Sequence, residues 1–485
     1  MSELSMLQPN ELWRFFSNIC AIPRPSKHEQ ALSDWIVSWA QTKKIDYQID
    51  SIGNIILKKA ATSGYEDRQT VALQAHLDMV PQANSDSNHN FTTDPIQAYV
   101  DGDWVTAKGT TLGADNGIGL ASILAVFDAS DIAHGPIEAL LTIDEEAGMT
   151  GAFGLEPGIL KASILLNTDS EQEGEVYMGC AGGGDTSAVF EVSQQRCPAD
   201  AKAISISISG LKGGHSGCDI DTGRANANKL MLRLLAKAQS QSKVQIASLH
   251  GGSLRNAIPR EAKTSFVFEA AQLADMQHIL KLEVDDIAAE YANVETNLSI
   301  ELNTIDAPVD AISTTNSAEI IASLNACPNG IISMSQDIQG IVETSLNLGV
   351  IRFEANQVSA LILARSLSDS GRLYVESMLA SLFELTSASL SHSGAYPGWK
   401  PDTDSKIMKV VQDSYQELFN KRPNIMVIHA GLECGLFKTA YPDLDMVSFG
   451  PTIKFPHSPD EKVEIATVAR YWELMKKTLA NIPVK

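Results

Sequence analysis

Three apolar runs of the chain end in residues that can hold a cation or move a proton. VALQAHLDMV reaches His76 and Asp78, ALLTIDEEAGM reaches Asp144, Glu145 and Glu146, and LLNTDS reaches Asp169. His76 and Asp78 are two apart on a predicted strand, hence on one face of it, about 6.6 Å apart. Asp115 lies in GADNGIGLAS, a glycine-rich turn that opens a helix, and His457 lies in the proline-flanked loop FPHSPDE. Taken singly, each has an ordinary reading. A strand-end histidine is usually a satisfied core or loop residue, an Asp before a helix usually caps it, and a histidine between prolines is usually solvated. Taken together, they are carboxylates gathered at the ends of buried strands, where unbalanced charges repel and protonate. No Lys or Arg stands beside these strand ends in the sequence, so divalent cations are the economical balance. Two histidines and several carboxylates without a thiolate suit zinc, cobalt or manganese better than calcium or magnesium. They are enough for two ions sharing a carboxylate. A second glutamate beside a ligand glutamate can take a proton from the attacking water and return it to a leaving amine.

The elements that must position these groups follow from periodicity. IDYQI, NIILKK, VALQAH, PIEALLTIDEE and ASILLNTD read as strands, several apolar on both faces, alternating with helices such as GIGLASILAVFDA. That texture predicts an α/β fold, a mostly parallel mixed sheet flanked by helices. Ser26 and Glu29 have capping-box spacing ahead of the helix QALSDWIVSWAQ. YVDGDWVTAK reads as a hairpin. Near residue 186 the pattern changes: AISISISG alternates apolar residues with Ser, as a strand with one wet face does. Two successive helix-plus-antiparallel-strand passes follow, up to YPGWKPD near residue 396. The expected organisation is a discontinuous catalytic domain, 1–186 and 396–485, and an inserted α+β lid domain, 187–395, with two lobes that could be pseudo-repeated.

The 485 residues carry 59 acids against 37 bases, a net charge of −22, which argues against nucleic acid and anionic membranes as partners. No apolar stretch approaches the roughly 18 residues of a membrane span, and the first residues lack a basic segment followed by an apolar one. The six cysteines are scattered, without metal-binding spacing, as reduced thiols of a cytoplasm are. A cytoplasmic location is therefore expected.

HLDMV, GADNGIG, DEEAGM, NTD, GGHSG and PHSPDE resemble, in order and spacing, the co-catalytic di-zinc peptidases that include carboxypeptidase G, carnosinases and tripeptidase T. The resemblance covers essentially the whole chain. It implies a cofactor of two Zn2+ per chain, with Co2+ or Mn2+ able to substitute: His76 and Asp169 on one ion, Glu146 and His457 on the other, Asp115 bridging. Asp78 would orient His76, Glu145 would be the general base and then acid, and a cis peptide would follow Asp115. In the lid, His215 of GGHSG would stabilise the oxyanion, Asn256 would hold substrate, and Arg365 would clamp its carboxylate as the lid closes. Glu433 is suggested as the partner of the substrate ammonium. The implied activity is hydrolysis of short peptides, chiefly unblocked dipeptides, with a possible homodimer. Two rivals stand beside it, an N-acyl amino-acid deacylase and a metal-free peptide binder.

Overall fold

Ile137–Thr142, Val71–His76 and Ile164–Asn167 are buried at every position, as the two-sided apolar pattern demands, and they are the interior of one sheet. The computed structural model describes residues 3–84 and 86–485. Its chain forms two units, one of residues up to Cys180 together with Trp399–Val427 and Leu432–Lys485, the other of Ala181–Gly398 with Ile428–Gly431.

The first unit holds an eight-stranded sheet in the order Asp46–Ile49, Ile55–Lys59, Ile137–Thr142, Val71–His76, Ile164–Asn167, Asp445–Ser448, Glu175–Cys180, Asn424–Ile428. Its four middle strands are mutually parallel, with His76 opposite Thr142, Gln74 opposite Asn167, and Ser448 opposite Asn167. The flanking Ile55–Lys59 strand is antiparallel, so the sheet is mixed around a parallel centre. Parallel strands release their C-termini at one edge, and that is why acids 69 to 93 positions from His76 can reach it. The helix Ala114–Asp128 is buried along almost its whole length. Within it Gly119 is obligatory, since a Cβ there would stand 2.0 Å from Asn116 Oδ1 and 2.2 Å from Thr168 Oγ1. A small sheet of Ala98–Asp101, Trp104–Ala107, Lys462–Glu464 and Ile453–Lys454 frames the loop that carries His457.

Two local expectations are corrected. The strand ends at His76, so Asp78 approaches the imidazole from a loop rather than along a shared strand face. The helix Gln30–Lys43 starts without a side-chain cap. Ser26 Oγ instead donates to Asp78 Oδ2 at 2.7 Å, and Glu29 Oε1 accepts the N–H groups of Lys27 and Asp144 at 2.9 and 3.0 Å. The capping spacing is real, but Ser26 gives its hydroxyl to a tertiary acceptor, and Glu29 shares one oxygen between a local N–H and a tertiary one.

The second unit is a nine-stranded antiparallel sheet, Ser299–Ile305, Lys202–Ser209, Ala262–Phe268, Gln245–Gly251, Val342–Glu354, Gln357–Ser366, Gly182–Glu191 and Ser389–Tyr396, with Gly330–Met334 paired to the fifth. Helices Ala227–Gln241, Thr314–Ala326 and Asp369–Glu384 are each capped by a side chain, of Asn226, Ser313 and Ser368. Phe190, Phe266, Phe383 and the leucines of Ala227–Gln241 are buried in its core. A boundary at residue 186 would cut Gly182–Glu191 in half; the second unit begins at Ala181.

Candidate active site

In the first unit the strand-end acids and the two histidines come together. His76 Nε2 lies 3.2 Å from Asp115 Oδ1 and 3.3 Å from Asp169 Oδ1; His457 Nε2 lies 3.2 Å from Asp115 Oδ2 and 3.1 Å from Glu146 Oε1. Asp115 thus gives one oxygen to each of two triads, His76–Asp115–Asp169 and Asp115–Glu146–His457. Asp169 Oδ1 and Glu146 Oε1 are buried beside ring nitrogens without receiving a hydrogen bond. Lone pairs converging on shared points is the geometry of metal ligands, so the residues fit a pair of divalent cations.

Electrostatics agrees. Burial, reinforced by Asp115, pushes Glu146 up to about 7, and burial lifts Glu145 well above the usual carboxylate range. Burial alone would lower the histidines, but their carboxylate neighbours outweigh it and hold His457 at about 11 and His76 well above its ordinary value. Protons therefore occupy the centre when no cation does. Asp78 is tied down by four donors: His76 Nδ1 at 3.3 Å, Ser26 Oγ at 2.7 Å, and the N–H groups of Glu145 and Glu146 at 2.9 and 3.1 Å. Burial would raise it, but these bonds and the imidazole bring it to about 2. It fixes the imidazole and the DEE turn together. The Asp115–Asn116 peptide is cis.

Several residues of this region carried no sequence signal. Arg24, 2% exposed, donates to the carbonyls of Leu77, Asp78 and Gly113. The acidic edge therefore has a guanidinium after all, brought from a remote segment, although its donors are committed to backbone. Glu461, four residues beyond His457, accepts the N–H groups of Leu112, Gly113, Ala114 and Asp115 at 2.8 to 3.3 Å. It locks the His457 loop to the Asp115 turn, and nothing in PHSPDE marks which of its acids does so. Glu433 is a correction. Wholly buried, it accepts from Gln74 Nε2 at 2.6 Å and Thr142 Oγ1 at 2.8 Å, and burial pushes it up to about 8. A carboxylate enclosed this way, beneath the strand ends, is not placed to meet a substrate ammonium.

In the second unit His215, Arg365 and Asn256 are also neighbours. His215 Nδ1 accepts the N–H groups of Gly217 and Cys218 at 3.2 and 3.0 Å, so the neutral ring carries its proton on Nε2. Arg365, 4% exposed, reaches that Nε2 at 3.1 Å, Tyr396 Oη at 3.1 Å and Ser216 Oγ at 3.3 Å. Nε2–H and Nη2–H are both donors, so the pair is satisfied by an oxygen accepting from both. Burial and then Arg365 bring His215 down to about 4. Gly217 is fixed by close approach, since a Cβ would stand 1.8 Å from the His429 carbonyl oxygen. The Asn256 carbonyl accepts Ser216 N–H at 2.9 Å while its side chain is exposed. His429, absent from the sequence reading, is buried with Nε2 2.8 Å from Ser345 Oγ, and burial followed by Arg365 brings it to about 3.

Comparison with known proteins defines the class. Residues 72–481 match the model of Peptidase family M20/M25/M40, and the chain belongs to that family, as the motif resemblance implied. Among its relatives is the cytosol non-specific dipeptidase of Escherichia coli (strain K12), 50% identical over 485 residues and the full length of both chains. The crystal structure of aminoacylhistidine dipeptidase from Vibrio alginolyticus superposes with a TM-score of 0.93 at 55% identity, covering 100% of this chain and 99% of that one. Aminopeptidase PepT from Bacillus cereus, 16% identical with a TM-score of 0.57 over 98% and 99% of the two chains, shares the fold.

Proposed function

We propose that the chain is a metal-dependent dipeptidase acting on unblocked dipeptides, Xaa-His dipeptides among them, in the cytosol. The observation that carries the reading is Asp115, with one carboxylate oxygen toward each histidine-containing triad. Support for the substrate comes from two dipeptidases, each matching the whole chain at half identity or more. His76 and Asp169 would hold one ion, Glu146 and His457 the other, and Asp115 both. The nitrogen and oxygen donor set favours zinc. Bound there, the ions would polarise the scissile carbonyl, lower the pKa of water and offset the carboxylate charge.

The chain's own residues do the rest. Glu145 accepts a proton from the attacking water and delivers it to the departing amine. Its N–H is held by Asp78 Oδ1 at 2.9 Å, which fixes the turn beneath it. His215, neutral with its proton on Nε2, donates to the oxygen that gains charge, and Arg365 donates to the peptide's terminal carboxylate. Asn256 offers an exposed amide to the substrate backbone. No role in binding the ammonium is carried forward for Glu433. Among the described residues no helix is long and apolar enough to cross a membrane.

A kinetic screen of unblocked dipeptides, their N-acetylated forms and tripeptides, with metal measured on the same sample, tests the reading. Turnover should favour free dipeptides and vanish with a chelator. Equal turnover of the N-acetylated forms would instead identify a deacylase.

A further inference from the structure

Asp78 has a second carboxylate neighbourhood besides the one around His76. Glu29, Asp78 and Asp144 each offer an oxygen within 4.8 Å of the other two, and they are 6%, 0% and 5% exposed. Asp78 is saturated by its four donors, but Glu29 and Asp144 are not. Glu29 uses Oε1 for two backbone N–H groups. Asp144 uses Oδ2 for the Thr150 hydroxyl, while its Oδ1 is buried with no hydrogen-bond partner. A buried carboxylate oxygen without a donor is costly unless something positive meets it. All the partners these two carboxylates do have are neutral N–H and O–H groups. Arg24, whose guanidinium reaches the Asp78 backbone, spends its donors on the Leu77, Asp78 and Gly113 carbonyls.

A cavity adjoins the cluster. Glu29, Asp144 and Thr150 line a cavity of about 420 Å3 whose other walls include Ser33, Ile143 and the exposed Lys27. That volume accommodates an ion with its remaining waters. Asp144 stands at φ 53°, and its N–H donates to Glu29, so the two carboxylates are mutually positioned.

We propose that Glu29 and Asp144 form a third cation site, with Asp78 adding charge and Thr150 Oγ1 within reach, which takes a hard divalent cation, Ca2+ or Mg2+. Oxygen donors without nitrogen or sulfur, partly completed by water, match those ions rather than zinc. Because Asp78 meets both His76 and this cluster and accepts the N–H groups of Glu145 and Glu146, the ion braces the turn that carries those two residues. The site is separate from the two triads and does not depend on what they catalyse.

The test counts ions on zinc-loaded enzyme equilibrated with millimolar CaCl2 or MgCl2 and passed through a desalting column in the same buffer. The wild type should carry one ion per chain beyond its zinc, and Tm should rise with the added cation. Asp144→Asn and Glu29→Gln should each lose the extra ion and the Tm response while keeping zinc. If one variant does not fold, the other decides. Crystals soaked in Mn2+ should show an anomalous peak between Glu29 and Asp144. No extra ion in the wild type, or an extra ion that survives in both variants, overturns the proposal.

Discussion

The two functional clusters of the chain are electrostatic opposites. In the first unit carboxylates outnumber their donors, protons bind too tightly, and His457 is held near 11. In the second unit the charge is of the other sign: Arg365 donates to Ser216 Oγ and Tyr396 Oη and sets its Nη2 against the Nε2–H of His215, and the imidazoles of His215 and His429 are pushed down to about 4 and 3. The first is a nitrogen and oxygen donor set of the kind that suits divalent cations, and the second gathers N–H donors of the kind that suit an oxygen acceptor. The sign of the local charge therefore separates the two clusters more sharply than their folds do.

The comparison can be broken most drastically at Asp115. Asp115→Ala removes an oxygen from both triads, so both ions should be lost and dipeptide turnover should fall below detection; a variant that still holds two ions would show that the carboxylate is not shared. Glu145→Gln keeps the ligands and removes the proton carrier, so kcat should fall about 10²- to 10⁴-fold with metal content unchanged. His215→Ala removes one donor from the opposite cluster, and kcat should drop about 10²- to 10³-fold with metal again unchanged. Measuring ions alongside kcat separates the clusters: loss of metal in the His215 variant would contradict their division of labour.

How much of this could be read beforehand depends on the range of the contact. The strand-end acids were legible because an apolar run that stops at a carboxylate is a local pattern, and parallel pairing then forces such ends to one edge. His215 and Arg365 were legible through motif resemblance, though 150 positions separate them. Arg24 and Glu461 were not, because nothing local distinguishes an arginine that will donate to carbonyls 53 and 89 residues away, or a glutamate that will cap a turn some 347 residues back. Glu433 was misread for the same reason: its partners, Gln74 and Thr142, lie on distant strands. Ser26 and Glu29 show the converse, a local capping pattern overridden by Asp78 and Asp144.

The smallest expected effects test the opposition of sign directly, in metal-free protein, by NMR titration of the imidazoles. Arg365 is the charged neighbour that, after burial, depresses His215. Arg365→Ala should therefore ease protonation and move the His215 pKa upward from about 4, carrying any acid limb of kcat/KM to higher pH in the loaded enzyme. Glu146 acts on His457 the other way, since its carboxylate favours the imidazolium. Glu146→Gln should therefore release the proton at lower pH, moving the His457 pKa downward from about 11. Because a bound cation must displace that proton, apparent metal affinity in the wild type should weaken as pH falls. Shifts of the two imidazoles in the same direction would mean that general burial, not opposite local charge, governs both clusters.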